Sequence, residues 1–187
     1  DCGTELSQPS VISNFRTACA AISTLPYSEN FDTYGTGSSI FPSCWTKITT
    51  YSTYPYITTT SSSAPGALYF YTSSGTYNIA TTPIIDASIP INTLMASFKL
   101  RKSNATSNVT IGVMTDPTNA TTFDSITTVS PSTTGVFEQF EVNFNNYTGL
   151  SQYIAFKVEY NSTTNYMYMD DLTISTIPTC PNTYSLS

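Results

Sequence analysis

The sequence contains no histidine, and only 10% of its 187 residues are charged. Without imidazole there is no histidine general base, no serine-histidine-aspartate triad and no histidine metal ligand, which closes off much hydrolytic and transition-metal chemistry. Six Lys and Arg stand against twelve Asp and Glu, for a net charge of -6. A chain with this balance lacks the basic field that a phosphate backbone requires, so nucleic acid is not expected as a partner. No run of about 18 apolar residues occurs, so no membrane insertion is expected. Asp1-Cys2-Gly3 offers neither the basic start nor the apolar stretch of a signal peptide, and the chain reads as a piece of something longer.

Cysteine is also scarce. Cys2, Cys19, Cys44 and Cys180 are far apart with no CxxC pair, which argues against a zinc site or a thioredoxin-like motif. An even count in an acidic chain rich in Ser, Thr and Tyr fits an oxidising compartment, extracellular or at the cell surface.

What the chain has in quantity is hydroxyl and aromatic side chains: 34 Thr, 26 Ser, 14 Tyr and 10 Phe. With 40% apolar residues there is enough surface to bury a core, so disorder is the poorer reading. Apolar residues recur with a period of two rather than 3.6. In 94–101, Leu94, Ala96, Phe98 and Leu100 point one way and Ser97, Lys99 and Arg101 the other. The same alternation marks Val109/Ile111/Val113, Phe140/Val142/Phe144, Ile154/Phe156/Val158/Tyr160 and Tyr166/Tyr168/Asp170/Leu172/Ile174. Residues 29–33, 45–49, 68–71 and 79–85 add upstream strands, and turn-forming clusters such as 103–108 and 130–135 separate them. Roughly eight or nine short strands at this spacing predict an all-β, antiparallel two-sheet sandwich, with hydroxyls on its outward faces.

Three segments, Glu29-Asn30-Phe31-Asp32, then Cys44-Trp45, then Tyr166-Met167-Tyr168-Met169-Asp170-Asp171-Leu172-Thr173-Ile174, resemble in order and spacing the MAM-like jelly-roll modules of secreted Bacteroidetes proteins. This is the "cleaved adhesin" or "choice-of-anchor J" type, related to the adhesin domains of gingipains. The resemblance implies a jelly-roll module over 24–176. Residues 1–23 resemble the end of a preceding fibronectin type III-like repeat or a linker, and 177–187 a linker or the start of the next repeat. One module of a larger exported protein is implied, with neighbouring domains of the same polypeptide among its partners.

If the first and last strands of such a jelly roll pair antiparallel, Glu29 and Asp171 approach each other, because their numbers sum to 200. Carboxylates that converge without a basic partner call for a cation, and Ca²⁺ takes oxygen ligands only. The resemblance implies a structural calcium here, on Asp32, Asp170 and Asp171, with Glu29 as the fourth candidate. Extending the same register brings Cys19 to Cys180 and leaves Cys2 and Cys44 over as a weaker pair, with burial of Cys44 beside Trp45 as the alternative.

Aromatic side chains are the remaining ligand-grade chemistry, because their flat faces and hydroxyls stack on sugar rings or anchor protein interfaces. Tyr51, Tyr54 and Tyr56 fall in an expected exposed loop, while alternation in 68–71 puts Tyr69 and Tyr71 opposite Leu68 and Phe70. Lys99 and Arg101 share a strand face that either docks an anion or simply protects the strand. Glu138 and Glu141, three apart, fall on opposite faces and make a poor glycosidase pair. Five N-x-Ser/Thr sequons are expected by chance in a chain with this much Ser and Thr. Together these residues predict a non-catalytic binding module directed at a glycan or a cell-surface protein, or else a structural spacer without a ligand of its own.

Overall fold

Alternating side chains build eleven strands and almost no helix. The computed structural model describes residues 19–178. The strands are β1 (Tyr27–Glu29), β2 (Thr46–Thr49), β3 (Tyr56–Thr58), β4 (Ala67–Thr72), β5 (Tyr77–Thr81), β6 (Leu94–Lys102), β7 (Val109–Met114), β8 (Asp124–Val129), β9 (Glu138–Asn143), β10 (Tyr153–Glu159) and β11 (Asn165–Thr176). Two of them escaped the sequence pattern. β3 lies where an exposed loop was expected, and β8 is an edge strand with only Ile126 and Val129 as large apolar residues. The expected strand over 29–33 instead ends at Glu29, because the chain turns at Phe31, whose φ is 60°.

One sheet runs β3-β4-β11-β6-β9, with β1 joining β11 beside β4; the other runs β2-β5-β10-β7-β8. Setting aside the short β1, β2 and β3, β4-β11-β6-β9 faces β5-β10-β7-β8, which is the strand order of a jelly roll. The two sheets close on Leu68, Phe70, Phe98, Leu100, Met167 and Met169 from one side and Ile111, Val113, Ile154, Phe156 and Val158 from the other, all essentially inaccessible. Burying each such side chain is worth about 1.5–3 kcal/mol. Trp45 completes one end of the core, edge-on to Phe31 at 5.7 Å between ring centroids and stacked on Phe156 at 6.4 Å.

β11 carries the decisive irregularity. Its pairing with β6 shifts between Asp170 and Thr173, and Asp171 sits at φ 51°. Up to the bulge the odd-numbered Asn165, Met167 and Met169 are buried; beyond it the even-numbered Leu172 and Ile174 are. An extra residue in one strand inverts the inward phase. The sequence reading, which ran one phase through the whole segment, therefore placed Tyr166 and Tyr168 on the wrong face.

The first and last strands do pair antiparallel, but Glu29 faces Leu172 and not Asp171. That register does not extend to the cysteines. Only three residues of β1 pair, and Ile22 instead bridges in parallel to Ile85. Cys19 is thereby free to bond Cys44, with 5.3 Å between Cα atoms, which corrects the expected Cys19–Cys180 link. Cys44 is exposed and in a left-handed conformation rather than buried. Cys2 and Cys180 lie outside the described residues.

Candidate ligand-binding face

The outer face of the first sheet is paved with tyrosine. Because Leu68, Phe70, Met167 and Met169 face the core, Tyr69 and Tyr71 of β4 and Tyr166 and Tyr168 of β11 must face out, and they pair across the strands as Tyr69 with Tyr168 and Tyr71 with Tyr166. Tyr56 of β3 pairs with Tyr69, and Arg101 of β6 with Tyr168. One row thus crosses four strands: Tyr56, Tyr69, Tyr168, Arg101. Its rings meet edge-on at 5.5 Å between Tyr56 and Tyr69 and stack at 4.6 Å between Tyr69 and Tyr168, and the Arg101 guanidinium lies 5.0 Å from the Tyr168 centroid. At about 4.8 Å per strand the row is roughly 14 Å long.

Tyr54 covers one flank of this row, with ring centroids 5.0–5.4 Å from Tyr56, Tyr69 and Tyr71, and Tyr51 lies 5.3 Å from Tyr71. All seven tyrosines are half-buried: their rings pack on one another, stacked in Tyr69–Tyr168 and edge-on in Tyr56–Tyr69, while part of each ring stays in solvent. The loop that carries Tyr51 and Tyr54 is tied down by Lys47, whose ammonium donates to the carbonyls of Thr53 (2.5 Å) and Pro55 (2.9 Å) and lies 5.0 Å from the Phe41 ring centroid. Buried Asn78 fixes the other side, donating to the Tyr71 carbonyl at 2.7 Å and accepting from the Thr49 hydroxyl at 2.9 Å.

Crowding sets the chemistry of these phenols. Burial, with the Tyr56 hydroxyl next in weight, pushes Tyr54 up to about 12, and burial followed by the neighbouring Tyr168 pushes Tyr69 higher still. Both therefore remain neutral hydroxyls at physiological pH, able to donate and to accept. The five tyrosines expected from the sequence thus come together in one cluster. Tyr166 and Tyr168, which the sequence reading missed as ligand candidates, were visible as a Tyr-Met-Tyr-Met alternation whose phase only the bulge decides.

The four acids gather around the bulge. Asp170 is fully buried; one of its oxygens accepts the amides of Ser62 (2.6 Å) and Ser63 (3.0 Å), and the other that of Asp171 (2.8 Å). Asp171 pairs with Lys99 at 3.0 Å and accepts from the Ser63 hydroxyl at 2.7 Å. Glu29 takes the amide of Phe31 (2.8 Å) and the hydroxyl of Tyr34 (2.6 Å). Asp32 takes the amide of Gly66 (3.0 Å) and the side-chain amide of Asn30 (2.8 Å). Burial pushes Asp170 up to about 6 against the pull of its amide donors. Burial also works against Asp171, but the Ser63 hydroxyl and the Lys99 ammonium outweigh it and hold that carboxyl below its ordinary value.

These bonds bear directly on calcium. Every oxygen of the four carboxylates already accepts from a protein donor, and one of the acids has a lysine partner. Among the described residues no three acidic, Cys or His side chains gather into a group that could hold a metal ion. The arrangement does not fit a shared cation. It fits a hydrogen-bonded knot that ties the 59–66 loop to β11 and to the turn after β1. Gly66 is required there, since a Cβ would stand 2.6 Å from the Phe31 carbonyl oxygen and 2.9 Å from Ile57 Cγ2.

Glu138 and Glu141 do lie on opposite faces of β9: Glu138 is half-buried and accepts the amides of Ser132 and Thr133, while Glu141 is exposed. A groove of about 680 Å³ runs between edge strands β8 and β9, bordered by Asp124, Ser125, Glu141 and Asn143 and by none of the platform tyrosines. Its lining is predominantly polar, with Phe144 and Tyr147 as its aromatic residues. Among the described residues no helix is long and apolar enough to cross a membrane.

No protein-family model matches the chain, and no curated relative matches it in sequence. Solved structures do resemble it. The K2 cleaved adhesin domain of Lys-gingipain is 14% identical, with a TM-score of 0.60 over 80% of this chain and 98% of that one. The K1 cleaved adhesin domain of Lys-gingipain from Porphyromonas gingivalis is 17% identical, with a TM-score of 0.55 over 83% of this chain and 100% of that one. TmCBM61, solved in complex with beta-1,4-galactotriose, is 13% identical, with a TM-score of 0.52 over 80% of this chain and 99% of that one. At these identities the likeness shows the fold.

Proposed function

We propose that the chain is a non-catalytic carbohydrate-binding module of the cleaved-adhesin, choice-of-anchor J type, within a secreted or cell-surface protein, and that the tyrosine face is its ligand site. One observation carries this reading: seven tyrosines converge on the outer face of a single sheet, where the core does not need them. Exposed rings with neutral hydroxyls present both of the things a sugar offers partners for, its flat C–H face and its equatorial hydroxyls. The galactotriose in TmCBM61 supports the reading as a ligand class held by a protein of similar fold. The Cys19–Cys44 disulfide supports the oxidising compartment.

The test is affinity electrophoresis of the chain through gels containing plant, animal and microbial polysaccharides. The expected result is retardation by at least one of them, weakened about 30-fold or more by Tyr69→Ala or Tyr168→Ala, the size of a hot-spot truncation of about 2 kcal/mol. Variants that keep a wild-type melting profile and are retarded as strongly as wild type would sink the proposal.

A further inference from the structure

Resting on that carbohydrate reading, we propose that the tyrosine row ends in an anion-recognition point, Arg101, and that the glycan it takes carries a carboxylated sugar, a uronic acid, beside the residues stacked on Tyr69 and Tyr168. The first argument is position. Arg101 is the β6 partner of Tyr168 and occupies the outward place that an aromatic ring fills on β3, β4 and β11, so a sugar chain lying along the row reaches it next.

The second argument is how the guanidinium is held. Its Nε donates to the Gly135 carbonyl at 3.0 Å, one Nη1 hydrogen to the Ser103 hydroxyl at 3.1 Å, and its Cζ lies over the Tyr168 ring, 5.0 Å from the centroid. Both acceptors are neutral, and the fork has five N–H groups in all, so three keep no partner in the protein. The turn bearing Gly135 is itself braced where Glu138 accepts the amides of Ser132 and Thr133 at 2.8 and 2.6 Å. A pre-positioned, part-exposed fork is the usual recognition element for a carboxylate, because two parallel N–H bonds match its two oxygens.

The third argument is charge. Among the described residues, Lys99 is paired with Asp171 and Lys157 with Glu159, while Lys47 and the buried Lys102 each give two of their three ammonium hydrogens to carbonyls or a hydroxyl and keep one, against three on Arg101. Arg101 is the described cation left with an open hydrogen-bonding edge and no carboxylate partner, in a chain whose acids outnumber its bases two to one. The net charge of -6 also narrows the ligand. A densely sulfated polymer is repelled by such a surface, whereas one carboxylate set among neutral sugars meets a single fixed cation.

The experiment uses the whole chain and three polysaccharides in which single uronic acids stand among neutral sugars, glucuronoxylan, gum arabic and gellan, each in native form and after chemical reduction of its carboxyl groups to neutral hexose. At least one native polymer is expected to bind about tenfold to a hundredfold better than its reduced counterpart, the scale of a charge-assisted hydrogen-bond pair. Arg101→Gln should bring that ratio to about one, Arg101→Lys should recover part of it, and Tyr69→Ala should weaken binding to both forms about 30-fold or more. Melting midpoints identify any variant that fails to fold, and a salt series on wild type then reads the same charge contribution without mutation. Equal binding of native and reduced forms, or a ratio that Arg101→Gln leaves intact, overturns the inference and returns Arg101 to a solvated charge guarding the strand. Binding only to neutral glycans, still sensitive to Tyr69→Ala, overturns it but spares the platform. No binding to any polysaccharide overturns both.

Discussion

On one side of its bulge β11 pairs with β4 and turns Tyr166 and Tyr168 outward; on the other it pairs with β1, and its neighbours are four carboxylates. The two halves differ in what their side chains have left to offer. In the tyrosine half most hydroxyls and the outer part of each ring are uncommitted, and the rings are arranged by packing on one another. In the carboxylate half every oxygen is taken by an amide, a hydroxyl or a lysine. A site with unspent capacity can bind, whereas a site whose capacity is used internally holds the fold together. The comparison predicts that substitutions on one side of the bulge change binding with little loss of stability, and that those on the other side do the reverse.

The largest effect should come from Gly66→Ala. The atoms its Cβ would strike include the Phe31 carbonyl, which is backbone and cannot swing away. Overpacking of this kind costs about 2–3 kcal/mol, visible as a lowered midpoint in urea. Binding per folded molecule should stay at the wild-type level. If glycan affinity falls while the urea midpoint holds, the two halves of the face are not separate and the comparison breaks.

Next comes the pH dependence of Asp170. Its folded value of about 6 lies above the ordinary 3.8, so the folded state binds the extra proton between those limits. Stability from this group is therefore greatest below about pH 4 and declines as pH rises through 6. Across pH 4.5 to 7 the loss is about 2 kcal/mol. Asp171, held below 3.8 by its partners, acts in the opposite sense and only at lower pH. Thermal melts in this window should show wild type losing stability as pH rises and Asp170→Asn nearly flat, though lower throughout because the amide cannot accept all three N–H bonds. An equal slope in both proteins would remove Asp170 as the source.

How much of this could be read from the chain follows the same division. Alternation along 94–101 and at Ile154, Phe156 and Val158 assigned inward and outward faces correctly, because those strands are regular, while Tyr160, expected on the same face, lies past the end of β10. It failed at 166–174, where one extra residue reverses the phase, and nothing in Met169-Asp170-Asp171-Leu172 announces a bulge to a pattern of period two. The five tyrosines at 51, 54, 56, 69 and 71 were legible as candidates, but their convergence depends on β3 docking against β4, and a three-residue strand leaves almost no periodic signal. The acids were legible as a group and misleading as a site. Their sequence positions show that they approach one another, yet three of the five backbone amides that occupy them come from residues 62, 63 and 66, a Ser-rich loop with no acidic or basic side chain to mark it. The disulfide failed for a related reason: a numbering sum holds only while the ladder continues, and this one stops after three residues.

The smallest expected effect is also the sharpest test of the carboxylate half. If Glu29, Asp32, Asp170 and Asp171 are a knot, adding millimolar calcium or EDTA at pH 7 should leave the melting midpoint where it was, because each oxygen already has a protein donor and, among the described residues, no three acids gather around one point. If they are instead a calcium site, the shift is not subtle, since calcium at 100 times its dissociation constant adds about 2.7 kcal/mol to the folded state. For a domain of this size that is several degrees. A calcium-dependent rise that Asp32→Asn abolishes would mean that these carboxylates hold an ion beside their protein donors, and the two halves of β11 would then differ in ligand rather than in having one.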